Sequence, residues 1–202
     1  MAKNYYAVKN GRQIGVFNTW KECEEQVKGY PNAAYKKFSS YEEALEFIKG
    51  DSDIQGDKDI DDLKENEAIA YVDGSYDNES KIYGYGVVLF SKDGKFTFSE
   101  RDDDPKLVEM RNVAGEIKGS MVAMEEALKR GKDTLFLYYD YMGIEKWATG
   151  EWKANKYGTK MYRAYYDSIK DKLNVRFIKV KAHAGNKYNE EADKLAKEAL
   201  DI

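Results

Sequence analysis

The sequence predicts two domains: a small α+β domain with a three-stranded sheet, then a larger α/β domain whose mixed five-stranded sheet is flanked by helices. Residues 50–66 carry seven acidic side chains against two basic ones and few apolar residues, a composition typical of a flexible linker. After this segment the predicted elements follow in the order βββαβααβα, which indicates a mixed sheet covered by helices. We therefore assign residues 1–49 and 67–202 to the two domains.

The small domain is predicted from short apolar runs that are separated by turn residues. The dipeptide Asn10-Gly11 is typical of a tight hairpin turn, and Thr19 with Glu22 has the spacing of a helix capping box. A domain of this size has a marginal core, and such modules usually bind a partner. The predicted elements are strands at residues 5–8, 15–17 and 35–38, and helices that begin after Thr19 and after Ser40, the second reaching Ile48.

The larger domain combines apolar strands with amphipathic helices. Residues 134–139 are dense in apolar side chains, as in strands that are buried on both faces. Helical spacing of apolar residues predicts the helix at 110–130, through Ile117, Met121, Met124 and Leu128. The remaining predicted elements are strands at 68–76, 82–90, 95–100 and 175–180, and helices at 160–173, at 189–200 and from Ile144.

Composition excludes several classes of protein. No run approaches the 18 apolar residues of a membrane helix, and the N-terminus lacks the apolar stretch of a secretory signal. Cys23 is the only cysteine, so neither an internal disulfide nor a thiolate metal site can form. The net charge of −4 arises from the acidic segment, because residues 1–49 carry +2, residues 50–66 −5 and residues 67–202 −1. We expect a cytoplasmic protein without membrane contact.

Four acidic residues occupy positions that are unusual for surface carboxylates. Asp73 lies inside an apolar strand, where an ionised carboxylate must be paired, hydrogen-bonded or metal-bound. Asp140 follows the strand at 134–139, and ligands bind at such strand ends in open α/β sheets. Glu116 precedes the apolar Ile117 on a helix, and Asp193 lies on the apolar side of the last helix. Each residue alone also has an ordinary explanation, as a helix cap or a solvated side chain.

Together these acids indicate a metal-dependent reaction. Four oxygen ligands without thiolates suit Mg²⁺ or Mn²⁺ rather than zinc. Carboxylates around a pair of such ions are typical of in-line displacement at phosphorus.

The ordered motifs of residues 67–202 resemble the type 1 ribonuclease H family. The resemblance rests on Tyr71-Val72-Asp73-Gly74-Ser75, on Asn112 four residues before Glu116, on the strand that ends at Asp140, and on His183-Ala184-Gly185 followed by Asn189-Glu190-Glu191-Ala192-Asp193. It implies an endonuclease that hydrolyses the RNA strand of RNA–DNA hybrids and leaves 5′-phosphate and 3′-hydroxyl ends.

The resemblance also implies the residue roles and the cofactor. Asp73, Glu116, Asp140 and Asp193 would hold two Mg²⁺ ions, with Mn²⁺ as a possible substitute. His183 would lie in a flexible loop and assist proton transfer or product release, and Asn112 would contact the minor groove. This sequence departs from the family at Tyr141, where the family has a small serine, and in the turn at 76–81.

Residues 3–49 resemble the hybrid-binding module, related to viroplasmin, that precedes some ribonucleases H. The match runs through Tyr5-Tyr6-Ala7-Val8, Gly15-Val16-Phe17, Thr19-Trp20, Cys23 and Tyr35-Lys36-Lys37-Phe38. An A-like minor groove with one RNA strand is recognised through its shape and its 2′-hydroxyls. The resemblance implies contacts to deoxyribose by Trp20 and Tyr35, to phosphate by Lys36 and Lys37, to 2′-hydroxyls by the backbone near Gly29 and Asn32, and to the hybrid by Tyr6.

Several alternatives remain open on the sequence alone. Trp20 and Tyr35 would be core residues if they only stabilise the small domain, and Cys23 is expected to be a buried small hydrophobe. In the family a basic protrusion grips the DNA strand, which implies contacts by Trp147 and Trp152, but both also fit a helix end with partly buried tryptophans.

Two other functions compete with the nuclease. One is a hybrid-binding protein without catalysis, and the other is an integrase-like or exonuclease enzyme on the same fold. The complete set of four acids argues against the first, and the hybrid-binding module argues against the second. We expect a monomer whose partner is an RNA–DNA hybrid, with no obligatory protein partner.

Overall fold

The computed structural model describes residues 4–31, 33–41, 44, 58–180 and 186–202. The chain forms two compact units, Met1–Asp57 and Lys58–Ile202. Among the described residues, none of the helices combines the length and apolar character that crossing a bilayer requires. The predicted cytoplasmic location and monomeric state stay predictions.

The first unit contains the predicted three-stranded antiparallel sheet. Its strand order is β2-β1-β3, from β1 (Tyr5–Asn10), β2 (Gly15–Phe17) and β3 (Ala34–Phe38). Helix α1 (Trp20–Val27) begins with the predicted capping box of Thr19 and Glu22. The second predicted helix, from Ser40 to Ile48, lies largely outside the described residues.

A small core joins α1 to the first sheet. Cys23 is fully buried, as predicted, and packs with Val8 and Val27. The Arg12 guanidinium donates hydrogen bonds to the carbonyls of Glu25 and Lys28, at 3.0 and 2.8 Å, and so satisfies acceptors at the end of α1. The described part of this core is small, as expected for a domain of fewer than 50 residues.

The second unit contains the predicted mixed five-stranded sheet, in the order β6-β5-β4-β7-β8. Strands β4, β5 and β6 form antiparallel pairs, whereas β7 pairs in parallel with β4 and with β8. The strands are β4 (Glu67–Asp77), β5 (Ile82–Ser91), β6 (Gly94–Asp102), β7 (Thr134–Tyr139) and β8 (Asn174–Lys179).

Five helices accompany this sheet in the described part of the second unit: α2 (Pro105–Val108), α3 (Asn112–Lys129), α4 (Gly143–Thr149), α5 (Tyr157–Ile169) and α6 (Lys187–Glu198). The sequence did not predict α2, because four residues are too short to show a helical period. Helix α3 begins two residues later than predicted, after Arg111, whose φ is 53° and therefore not helical.

Helices α3 and α6 pack on opposite faces of the sheet. A side chain at Gly74 would point at the backbone of Asn112 and Glu116 on α3. A side chain at Gly86, which pairs with Asp73, would point at the backbone of α6. Because neighbouring residues of a strand face opposite sides, the two helices cover the two faces of β4.

Residues 58–66, which the sequence analysis placed in the linker, contact the five-stranded sheet. The Lys58 backbone N–H donates to the Tyr138 hydroxyl at 2.9 Å, and the Lys58 Nζ lies 2.9 Å from a Glu67 carboxylate oxygen. Leu63 is only 2% exposed. The domain limits at residues 49 and 67 stay predictions, but these contacts attach the second half of the acidic segment to the second unit.

Leu63→Ala should therefore destabilise the second unit. Removing a buried leucine side chain costs roughly 2–5 kcal/mol, whereas Asp62→Ala, a change at an exposed neighbour, should leave stability nearly unchanged. Urea unfolding of the two variants measures the difference. Equal free energies of unfolding would mean that this segment does not contribute to the fold.

Candidate active site

Three of the four predicted acids meet at one edge of the sheet. Oxygen atoms of Asp73, Glu116 and Asp140 all lie within 4.8 Å of one another, and we call these residues the acid triad. Asp73 and Glu116 are buried, at 9% and 2% exposure, and Asp140 is half-buried. The triad could hold a metal ion, because carboxylate oxygens are the ligands that hard divalent cations prefer.

Strand topology brings Asp73 and Asp140 together. Asp73 lies two residues after Tyr71, the last residue of β4 that pairs with β7, and Asp140 follows the last residue of β7. These two strands are parallel neighbours, paired from Glu67 and Thr134 to Tyr71 and Tyr138. Their carboxyl ends therefore meet at the same edge, as at ligand sites of other open α/β sheets.

Close contact between glycines brings Glu116 to the same place. A Cβ at Gly74 would overlap the Glu116 backbone nitrogen, and a Cβ at Gly115 would overlap the Gly84 carbonyl oxygen. Only glycine permits this approach of α3 to β4 and β5. The first turns of α3 thus place the Glu116 carboxyl against the other two acids.

The charges of the acid triad oppose one another. Burial, followed by the charge of Asp140, raises the pKa of Asp73 to about 6, although the Gly74 N–H donates to its Oδ1 at 2.7 Å. Burial and the Asp73 and Asp140 charges raise the pKa of Glu116 well above its usual value. A divalent cation would relieve both effects, so the residues fit a metal site.

Asp193 lies near the triad but outside its closest contacts. A Cβ at Gly86, the residue that pairs with Asp73, would overlap the carbonyl oxygen of Ala192, so the residue before Asp193 packs beside the site. Its Oδ2 lies 2.7 Å from the Lys197 Nζ one turn later on α6. The described structure therefore brings three predicted acids together and the fourth beside them.

The raised pKa of Asp73 predicts that, in metal-free protein, the free energy of unfolding falls as the pH rises. The stability that the protonated carboxyl provides is complete below its unfolded-state pKa of 3.8 and is lost as the pH rises through about 6. A shift of this size corresponds to about 3 kcal/mol. Asp73→Asn should therefore unfold at higher urea concentration than wild type at pH 8 with a chelator present, and at the same concentration near pH 4.

Asp77→Asn is the matched control for this experiment. Asp77 ends the same strand, but hydrogen bonds from Ser80 and Glu79 lower its pKa. Replacement of Asp77 should not raise the urea concentration at which the protein unfolds at pH 8. If Asp73→Asn also gave no gain in stability, burial and the neighbouring charges would not raise the pKa of Asp73 in solution.

A cavity of about 280 Å³ opens beside the site. It contains Asn112, the predicted groove contact, together with two basic side chains, Arg111 and Lys156. The sequence analysis singled out neither Arg111 nor Lys156. The lining residues are Glu109, Met110, Arg111, Asn112, Val113, Tyr141, Trp147 and Lys156.

An aromatic row extends from this cavity. The ring of Trp147 lies 5.7 Å from that of Tyr141 and 6.0 Å from that of Trp152, centroid to centroid. Trp147 is partly buried, and Trp152 is 43% exposed. The row joins both predicted tryptophans to Tyr141, the residue that differs from the family pattern.

An exposed aromatic surface lies on the first unit. Trp20 and Tyr35 are 44% and 46% exposed, so the interpretation of both as core residues is wrong. The Trp20 ring lies 5.6 Å from that of Tyr35 and 5.8 Å from that of Tyr6. We call these three residues the aromatic patch. Gly29, at φ 72°, follows α1, and Asn32 lies outside the described residues.

The two predicted lysines of this unit point to different sides of β3. Lys37 pairs with Tyr6 and Tyr35 pairs with Val8, whereas Lys36 pairs with Ala7. Because side chains alternate along a strand, Lys37 shares the face of the aromatic patch and Lys36 lies on the other face. Both lysines are exposed.

The predicted auxiliary histidine, His183, lies outside the described residues. The chain is described again from Asn186, whose side chain accepts hydrogen bonds from the N–H groups of Tyr188 and Asn189 at the start of α6. The role of His183 therefore stays a prediction.

Comparisons with known proteins agree with this architecture. The family described as Ribonuclease H1 N-terminal domain matches residues 4–48, and the family described as RNase H matches residues 64–201. Ribonuclease H1 of Mus musculus is 26% identical in an alignment 254 positions long, which covers 96% of this chain and 88% of that protein.

Two solved structures resemble the second unit. RNase H1 of the archaeon Halobacterium salinarum is 27% identical, with a TM-score of 0.53 over 67% of this chain and 98% of its own. LC11-RNase H1, crystallised with an RNA/DNA hybrid, has a TM-score of 0.54 over 66% of this chain and 96% of its own, and at 22% identity it supports the fold alone.

The five-stranded mixed sheet with its acid triad thus defines an α/β protein of the RNase H-like fold. The family match covers residues 64–201, more than half of the chain, and it identifies a protein family rather than a fold alone. The chain belongs to the RNase H family, and it is an endoribonuclease.

Proposed function

We propose that this protein hydrolyses the RNA strand of RNA–DNA hybrids, leaving 5′-phosphate and 3′-hydroxyl ends. The observation that carries the proposal is the acid triad formed by residues of β4, of α3 and of the end of β7, beside a cavity lined by two basic side chains. We propose that Asp73, Glu116, Asp140 and Asp193 hold two Mg²⁺ ions, which Mn²⁺ can replace.

Such ions activate water and stabilise a leaving oxygen at phosphorus. The residues of this chain have other tasks. Asp73 and Glu116 would hold the ions from the buried side of the site, and partly exposed Asp140 would hold them from its more open side. His183, just before α6, is proposed to move a proton or to assist product release.

The cavity beside the triad suits the backbone of the substrate. Arg111 and Lys156 can neutralise a phosphate, and the Asn112 amide can hydrogen-bond to groups in the minor groove. Trp147 and Trp152 offer ring faces for the DNA strand, because aromatic side chains bind nucleotides without sequence preference. Their arrangement supports a binding surface for the DNA strand that continues from the cavity.

The first unit is proposed to bind the same hybrid. Trp20, Tyr35 and Tyr6 present an exposed aromatic surface, and a Lys37 side chain on the same face can contact phosphate. The family match to the Ribonuclease H1 N-terminal domain supports this role. The backbone near Gly29 and Asn32 is proposed to contact 2′-hydroxyls.

One assay tests the proposed substrate and reaction. An end-labelled RNA–DNA hybrid, duplex RNA and duplex DNA are incubated with the full chain, with Mg²⁺, with Mn²⁺ and with a chelator. We expect internal cuts in the RNA of the hybrid alone, only with an ion, and products that carry 5′-phosphate. Binding without cleavage would favour the non-catalytic alternative, and cuts only at strand ends would favour an exonuclease.

The register of β3 predicts unequal effects of its two lysines. Lys37→Ala should weaken hybrid binding more than Lys36→Ala, because only Lys37 shares the face of the aromatic patch. Each lost phosphate contact should also reduce the slope of log affinity against log salt concentration by roughly one. Fluorescence anisotropy titrations at several salt concentrations measure both quantities. A larger loss with Lys36→Ala would place the hybrid on the opposite face of the sheet.

A further inference from the structure

Two buried polar groups of the described residues, one of them in the acid triad, have no hydrogen-bond partner. Within the described part of the chain, Glu116 Oε2 and the Tyr162 hydroxyl are both enclosed and unpaired. Tyr162 is 0% exposed and lies on α5, which packs against α3, the helix that carries Glu116. Buried polar groups are normally paired, so this coincidence calls for an explanation.

The two groups are chemically complementary. A carboxylate oxygen accepts hydrogen bonds, and a phenol can donate one. The remaining buried unpaired side-chain atom among the described residues, Asn189 Oδ1, is an acceptor, so Tyr162 is the single unpaired donor found there. The hydroxyl of Tyr165, on the same helix as Tyr162, donates to the Met121 carbonyl at 3.5 Å, so this part of α5 lies against the α3 turn that follows Glu116.

Ser120 lies one turn after Glu116 on the same helix, α3. It is fully buried, and its hydroxyl donates to the Glu116 carbonyl at 2.7 Å. The Ser120 hydroxyl also opposes the rise in the pKa of Tyr162, although their geometry falls short of a hydrogen bond. A hydrogen bond between these two hydroxyls would connect α5 to the α3 turn that carries Glu116.

We propose that Tyr162 is a positioning residue, whose hydroxyl, together with Ser120, orients Glu116 when the acid triad binds a divalent cation. This inference rests on the proposed metal site. Binding of a cation favours the ionised form of Glu116, and a buried anion is stabilised by donors behind it. Partners of this kind behind metal ligands commonly change metal affinity by roughly 10–100-fold when they are removed.

Tyr162→Phe tests the proposal, because it removes only the hydroxyl. Mg²⁺ alone is titrated into the full chain by calorimetry, and the rise in Tm on adding Mg²⁺ is measured without substrate. We expect Mg²⁺ binding to weaken roughly 10–100-fold, while the Tm without ion stays equal or rises, since an unpaired buried hydroxyl is lost. Tyr166→Phe, one turn later on the same helix beside Phe177, should leave Mg²⁺ binding unchanged.

Ser120→Ala provides a second measurement. If both hydroxyls act on Glu116 together, the affinity loss of the double variant should be smaller than the product of the two single losses. A loss equal to that product would mean that the two hydroxyls act independently. Wild-type affinity in Tyr162→Phe, or an equal loss in Tyr166→Phe, would overturn the inference and leave the metal site intact. Absence of Mg²⁺ binding by the wild-type chain would overturn the proposed metal site and this inference with it.

Discussion

Asp73→Asn and Asp140→Asn should each reduce cleavage of an RNA–DNA hybrid by roughly 10³-fold or more. Each change replaces an anionic ligand of the acid triad by a neutral one of nearly the same size. The metal-dependent part of transition-state stabilisation amounts to several kcal/mol, and every 1.4 kcal/mol or so is a factor of ten in rate. The fold should persist, because Asn fills the same space.

The measurement is the single-turnover rate at saturating Mg²⁺, with circular dichroism and the Tm as checks on folding. Asp171→Asn is the matched control, since this aspartate is exposed and follows the end of α5, away from the triad. It should cleave like wild type. Near-normal cleavage by Asp73→Asn would remove the basis for the proposed metal site.

These acids could be recognised in the sequence for a physical reason. A carboxylate inside an apolar strand, as at Asp73, conflicts with the cost of burying charge, and such conflicts mark functional positions. The position of Asp140 follows from the strand that precedes it. The closeness of Glu116 depends instead on the contact of Gly74 with α3, which is a tertiary feature without a local sequence pattern.

Other features of the site could not be predicted because they depend on packing between distant segments. Arg111 and Lys156 line one cavity, yet they belong to different parts of the chain. Leu63 is an isolated apolar residue in an acidic segment, and only the folded sheet shows that it is buried. The pairing of Lys36 with Ala7 likewise fixes the face of β3 on which that lysine lies, which composition does not reveal.

Removal of residues 1–57 should weaken capture of the hybrid while leaving hydrolysis at saturating substrate. A second binding module on the same chain raises the local concentration of substrate, and such linkage can add roughly 10²–10⁴-fold to apparent affinity. Cleavage chemistry depends on the acid triad, which lies entirely in the second unit. We therefore expect a higher KM, fewer cuts per encounter and a nearly unchanged kcat.

Substitutions in the full chain locate this effect on one surface. Trp20→Ala with Tyr35→Ala should reproduce much of the deletion, because each exposed ring that binds a nucleotide contributes roughly 1–3 kcal/mol. Tyr41→Ala is the control, since Tyr41 is also exposed, at 45%, but contacts Tyr5, whose side chain lies on the face of β1 opposite Tyr6. Loss of kcat on deletion, or equal losses from Tyr41→Ala and Trp20→Ala, would contradict a separate binding role for the aromatic patch.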